Sequence, residues 1–359
     1  MERIAQLDTH GARAVETFVH GGERYLVVPQ LAADVPGQPA SMMLGNSEVD
    51  TLVYRWADEA GFTLHQRLPA HGGEDAEHFR IGERLFVAIA HLRSGAGPYD
   101  LRTTSDIYEM RGDRLELFQR LDTYAAKQWK HGEIGGRHFL ALAQGVALPG
   151  EPRVPAPSTV YAWNGERFEP FQEVDSAWGY NWAFFEVAGQ HFLAYADQSA
   201  PSQILRWDGE RFAPFQTLEQ KTGRAFCHFR ARGEDWLAFA CLHDQTVMLR
   251  WNGTRFALHQ ALSGPGGREF EWIPDADGDE GHLVQVNFLL GTREAPQPSL
   301  NSLIRRLDAQ GQWSVVEEFP TSGGTDACSF HAGGQRYLVV ANSLSAEVRF
   351  RTPSHVYRL

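Results

Sequence analysis

Short runs of alternating apolar and polar residues, cut by glycine turns, recur along the whole chain, and this period-2 pattern predicts strands throughout. One phrase returns almost verbatim: an apolar run, Arg-Trp or its like, Asn/Asp-Gly, a short gap and Phe. It reads Val160-Tyr161-Ala162-Trp163-Asn164-Gly165…Phe168, then Ile204-Leu205-Arg206-Trp207-Asp208-Gly209…Phe212, then Met248-Leu249-Arg250-Trp251-Asn252-Gly253…Phe256. Weaker copies begin at Val53, Ile107 and Ile304. Each is followed by Gln-x-apolar (Gln66/Leu68, Gln119/Leu121, Gln172/Val174, Gln216/Leu218, Gln260/Leu262), with Glu317/Phe319 in that place in the sixth copy. A second phrase, an aromatic or Leu followed by small apolar residues, precedes each copy; His282-Leu283-Val284-Gln285 is a degraded instance.

The unit reads as four strands, a to d, near Trp182–Val187, His191–Ala196, Gln203–Trp207 and Phe212–Leu218 in the fourth repeat. Asn-Gly and Asp-Gly are strong hairpin signals for the c–d turn. Seven units of about 50 residues, each a small sheet, predict an all-β fold: a single seven-bladed β-propeller of four-stranded blades over 1–359. The last unit stops after strand c at Ser354–Leu359, and Ile4-Ala5-Gln6-Leu7 fits the d pattern. Residues 1–10 are therefore expected to complete the C-terminal blade, so that the N-terminal strand pairs in the last blade and closes the ring.

Composition narrows the function classes. Lys+Arg 33 against Asp+Glu 45 leaves a net charge of -12, which argues against a nucleic-acid surface. No 18-residue apolar run exists to insert in a membrane. The start lacks a basic segment followed by an apolar core, so a cytoplasmic location is expected. Cys227, Cys241 and Cys328 have no Cys-x-x-Cys spacing and read as small buried hydrophobes. A monomer is expected.

The Arg-Trp-Asp/Asn-Gly…Phe…Gln-x-Leu phrase, the polar-Trp opening of strand a (Gln128-Trp129, Asn181-Trp182) and the Tyr/Phe-Leu-x-x-Ala strand resemble the EPTP, or epilepsy-associated, repeat. That family includes the leucine-rich glioma-inactivated proteins. The resemblance covers essentially the whole chain, closely in repeats three to five and poorly in six. It implies a seven-bladed propeller that recognises other proteins, outside the cell in animals.

Strand order assigns the a–b and c–d turns to one face and the b–c loops and d-to-a crossings to the other. The second face receives every long loop: Pro29–Asp50, His91–Asp106, Gln144–Ser158, Asn287–Ser302 and Asn342–Ser354. A lopsided funnel is expected there, open over blades four and five. Such loops on a rigid scaffold are the usual place for a site. Met42 and Met43, apolar inside a long loop, together with His71, His91, Tyr99, Trp178, Tyr180 and Arg268, are the candidate ligand- or partner-binding residues.

Counting back from the apolar anchor of each strand a gives a ring at the channel mouth: Ala14, Asp75, Gln128, Asn181, Ala225, Arg268 and Asp326. Asp75, Gln128, Asn181 and Asp326 are the candidate metal ligands, of the oxygen type that Ca²⁺ takes. The resemblance implies aspartates at this position with a calcium ion in the channel; only Asp75 and Asp326 keep the carboxylate, and Arg268 would oppose a cation. A solvated polar channel is the favoured rival reading. Asp275–Gly281 alternates carboxylates around a Gly turn but reads better as an acidic a–b hairpin.

No catalytic motif is present, and periodic histidines (His78/His131/His228, His65/His259) suggest structural use. The reading that results is a recognition module whose long-loop face binds a protein or peptide. The alternatives are an enzyme using His and Asp as acid and base on a small molecule in the funnel, and glycan binding.

Overall fold

The computed structural model describes residues 1–58, 60–145 and 156–359, so most of the expected Gln144–Ser158 loop lies outside the described residues. It contains seven four-stranded sheets, every pairing given among them antiparallel, and no helix among the described residues. The seven-bladed propeller read from the repeat is the fold. The seventh sheet orders Glu2–Leu7, Ser354–Arg358, Gln335–Asn342 and Gly324–Ala332, with Leu7 opposite Ser354 and Glu2 opposite Arg358. The N-terminal strand thus completes the last blade. The chain divides into two compact units, Met1–His131 with Gly291–Ser299 and Ser322–Leu359, and Gly132–Leu290 with Leu300–Thr321.

The repeated phrase has a physical reason at each letter. In blades three, four and five the c–d turn residues Asn164, Asp208 and Asn252 each accept two backbone N–H bonds, as Asp208 Oδ1 does from Glu210 (2.9 Å) and Arg211 (2.8 Å). The next residue, as at Gly209 with φ +107, sits where a Cβ is disfavoured. The conserved-looking Gln joins one blade to the next. Gln216 donates to the Phe256 carbonyl (2.7 Å) and accepts from its amide (3.0 Å), and Gln172 does the same with Phe212. Gln66 bridges to Leu115 in the first unit. Replacing Gln216 with Ala is expected to lower stability by about 1–3 kcal/mol, because both Phe256 backbone groups lose their partner; urea unfolding checks it.

Each strand c opens on a fully buried Ser or Thr. Its hydroxyl accepts the amide at the end of strand b: Ser105 from His91 (3.2 Å), Ser202 from Asp197 (3.1 Å), Thr246 from Cys241 (3.2 Å), Ser302 from Asn287 (3.1 Å). In blade one the residue facing Thr51 is Pro29, which has no N–H, and Thr51 Oγ1 makes no hydrogen bond.

Apolar clusters fill the space between neighbouring sheets. Blades one and two share Val27, Val53, Leu85 and Tyr108; blades four and five share Phe192, Leu205's neighbour Ile204, Phe239 and Phe256. The periodic histidines stack on the preceding blade, His131 on Phe79 at 4.6 Å and His228 on Phe185 at 4.7 Å. His65 and His259 bond the turn carbonyls of Asp113 and Gly311. These histidines are therefore structural.

Candidate functional site

Strand a begins with the same irregularity in blades two, four, five, six and seven. The pairing skips one residue after a glycine, leaving Glu74, Tyr180, Arg224, Arg268 and Thr325 unpaired in the ladder. These are β-bulges, a device that re-aims a side chain. The glycine is required by close approach: a Cβ on Gly267 would lie 2.2 Å from Thr246 Oγ1, and one on Gly179 2.2 Å from Tyr195 Oη. Arg13 and Lys127 hold the equivalent sequence place in blades one and three.

The bulge corrects the expected ring. Asp75, Asn181, Ala225 and Asp326 share one register position, but its blade-six member is Glu269; Arg268 belongs to the bulge row. The position works between blades. Asp75 Oδ2 accepts the Trp129 amide (2.8 Å), Asp326 Oδ2 the Val15 amide (2.9 Å), and Asn181 Oδ1 the Phe226 amide (3.0 Å). Gln128 lies half-buried in the same row. Among the described residues no group of three or more His, Cys, Asp or Glu is placed to hold a metal ion. In the first unit the neighbouring bulge row carries Arg13 and Lys127 around Glu74, at 3.7 and 2.7 Å from its Oε1. These residues do not fit a calcium ion, whose six to eight oxygen ligands must be free to turn toward it.

Burial pushes the Asp75 carboxyl well above its usual range, against the Trp129 hydrogen bond that favours the charged form. A folded-state pKa above the unfolded one means the native state holds the proton more tightly. The contribution of Asp75 to stability is therefore greatest in acid and is lost as pH rises through the folded pKa. Asp75→Asn keeps the acceptor, as Asn181 does, and cannot ionise. Its stability relative to wild type is expected to increase from pH 5 to pH 8, measured by urea unfolding at both.

The first unit brings most of the candidate binding residues together. Arg93, 2% exposed, donates through Nε to Ser47 Oγ (3.0 Å), through Nη1 to the Met43 carbonyl (3.0 Å) and through Nη2 to the Leu44 carbonyl (2.8 Å). Its guanidinium lies 3.7 Å over the Tyr99 ring, and Tyr99 Oη donates to the Gly45 carbonyl (2.8 Å). Glu48 ties the same loop to its neighbours, accepting Gly95 N (2.8 Å) and facing His71 Nδ1 (2.7 Å). His71 meets His91 edge-on at 5.9 Å. His91 is buried, its Nδ1 2.7 Å from the Thr104 carbonyl, and burial lowers its pKa, keeping the ring neutral. On the far side Asp34 accepts the Phe350 and Arg351 amides (3.2 and 2.9 Å), and Arg349 donates to the Gln38 carbonyl (3.1 Å). Met42, Met43 and Tyr99 are left half-buried on a loop held from both sides.

The second unit holds the rest. Asp197 accepts four amides, those of Ala177 (2.8 Å), Trp178 (3.1 Å), Ser199 (2.8 Å) and Ala200 (2.7 Å), and so fixes the crossing that presents Trp178 and Tyr180. The two rings are 6.4 Å apart. Arg224 and Arg268 both lie over Tyr180, at 3.8 and 5.1 Å. The 275–281 segment is an a–b hairpin whose acids are clamped by arginines: Arg306 Nη2 reaches Asp275 Oδ2 (2.7 Å), and Arg232 Nε reaches Glu280 Oε1 (2.9 Å).

Sequence reasoning missed Arg93, Glu74, Lys127 and Arg224. The signal for the bulge row was the Gly-x-x-apolar spacing at Gly73, Gly179, Gly223, Gly267 and Gly324. Arg93 had none, being one of many loop arginines. A cavity of about 440 Å³ at the hairpin end, lined by Arg24, Arg55, Trp56 and His331, was also unforeseen.

A model described as the EPTP domain matches residues 2–57, 61–108, 114–164, 167–208, 211–252 and 314–359. Two curated proteins, each described as a thrombospondin-type laminin G domain and EAR repeat-containing protein, are similar. The Mus musculus protein is 30% identical over 168 residues, 45% of this chain and 24% of its own length. The Homo sapiens protein is 30% identical over 156 residues, 42% of this chain and 22% of its own. The chain thus spans about a quarter of the length of these relatives. Among solved structures, a chain of the COPII outer coat vertex on membranes aligns with a TM-score of 0.60 at 11% identity, covering 99% of this chain and 85% of that one. The β-propeller domain of Myceliophteria thermophila Cps50 (Swd1) aligns with a TM-score of 0.60 at 8% identity, covering 99% of each chain. At such identities the likeness is one of fold.

Proposed function

Since the chain belongs to the EPTP family, we propose that it is a recognition module and that the long loops of blades one, two and seven form its binding surface for a protein or peptide partner. One observation carries the reading: Arg93 organises Met43, Leu44, Ser47 and Tyr99 into a single fixed loop cluster beside His71. A half-exposed methionine pair and tyrosine on a rigid frame supply contact area without the entropy cost of ordering a loop on binding. No helix of the structure is long and apolar enough to cross a membrane, among the described residues.

The test is affinity capture with three immobilised proteins: wild type, Met42→Glu/Met43→Glu, and Arg206→Ala, an exposed strand c position remote in sequence from these loops. Specific proteins retained by wild type and Arg206→Ala but lost from the double variant support the reading. Identical retention on all three removes these loops from the interface. Retention of immobilised glycans, lost in the double variant, would assign the same surface to sugar instead.

A further inference from the structure

The bulge residues of blades four, five and six converge. Tyr180 lies beneath two guanidiniums, Arg224 at 3.8 Å and Arg268 at 5.1 Å from the ring centroid. Both are close to fully buried, with 5% and 9% of their surface exposed. Among the described residues no hydrogen bond or ion pair holds the Arg268 guanidinium. The adjacent Glu269 has Oε1 on the Phe270 amide (3.1 Å).

A guanidinium removed from water needs an anion or a full set of acceptors, and two on one ring also repel each other. The ring face offsets part of this but carries no net charge. It occupies the flat faces of both groups and leaves their N–H edges, which are the edges that fork onto oxyanions. The bulges aim both arginines from neighbouring strands, so the arrangement is built by rigid elements rather than by loop tips. Arg268 also falls in the 253–313 stretch that the EPTP matches leave out, so the pair is a property of this chain and not of the repeat.

We infer that blades four to six bind an oxyanion, a carboxylate or phosphate group, at the guanidinium edges of Arg224 and Arg268. The site lies in the other compact unit from the loop cluster of blades one, two and seven and stands whether or not that cluster binds a partner. The oxyanion is supplied either by a free small molecule or by an acidic side chain of a polypeptide.

Isothermal titration and thermal unfolding at constant ionic strength, with inorganic phosphate, succinate and a blocked hexaglutamate peptide as probes and chloride as the reference, test it. At least one probe is expected to bind saturably and raise the Tm, with affinity reduced tenfold or more in Arg268→Gln and partly kept in Arg268→Lys. Phosphate or succinate alone binding identifies a free anion; hexaglutamate binding more tightly identifies a polypeptide source. If Arg268→Gln does not fold, the arginine Nε–Hε signals of wild type decide, two of which should move on titration. No binding beyond chloride, equal binding by Arg268→Gln, or unmoved arginine signals would overturn the inference.

Discussion

Replacing Arg305 with alanine is expected to cost about 3–5 kcal/mol of stability, because it strips a hydrogen-bonded cation from a site with no water to take its place. Arg305 is 4% exposed, and burial pushes its guanidinium down to about 10. It donates through Nε to Gln285 Oε1 (3.1 Å), through Nη1 to the Trp313 carbonyl (3.0 Å) and through Nη2 to the Leu262 carbonyl (2.7 Å). Its pairing with Leu283 is the pairing of Leu205 with Leu193 and of Leu249 with Leu237. Gln285 likewise stands where blades four and five have Tyr195 and Phe239. Blade six has therefore exchanged two apolar core residues for a buried Arg–Gln pair, and this is why its repeat is faint. Arg305→Leu with Gln285→Phe restores the pattern of the other blades and should recover at least half of the loss, since well-packed apolar residues often replace a buried polar group at little cost. Urea unfolding of the three variants decides. A mild alanine variant, or a double variant no better than it, would show that the pair does not carry blade six.

The architecture was legible because each letter of the repeat performs a bond that every blade needs. Asn164, Asp208 and Asn252 cap their own turns, Gln172, Gln216 and Gln260 reach the next blade, and a sequence reader sees both as periodic residues. The missing last strand and the spare first one are visible for the same reason. The site was less legible because a bulge shifts register by one residue without altering composition. Counting from the apolar anchor placed Arg268 in line with Asp75, whereas the pairing puts Glu269 there. The polar row was also assigned to an ion, yet Asp75, Asn181 and Asp326 spend an oxygen on the amide of the next blade. A side chain four residues from an apolar anchor reads the same whether it faces a channel or staples a neighbour. Chemistry that repeats serves the scaffold, and what distinguishes this molecule sits where the repeat breaks: Arg93 in a long loop, Arg268 and Arg305 in blade six.

Arg93→Ala should be as damaging as the loss of Arg305, about 3–5 kcal/mol, but with a different distribution. The side chain sits under the 29–50 loop, and its removal leaves the Met43 and Leu44 carbonyls and the Ser47 hydroxyl without the donor that now holds them. It also takes away the cation over Tyr99, and with it part of the reason the 92–101 segment meets the 41–47 segment. Asp34 would still hold the other end of the loop through the Phe350 and Arg351 amides. Local opening is therefore expected to precede global unfolding: amides of 41–47 should exchange at least tenfold faster, while those near Asp34 change little. Arg93→Lys keeps the charge but offers a point contact in place of a fork, so it should recover only part of the protection. If the loops of blades one, two and seven form the recognition surface, Arg93→Ala should bind its partner more weakly even at temperatures where the fold is intact, because the partner must then order the loop itself. Hydrogen exchange and partner capture on one preparation separate the cases. Unchanged protection at 41–47 would show that Arg93 does not organise the loop; lost protection with undiminished binding would show that the partner docks elsewhere.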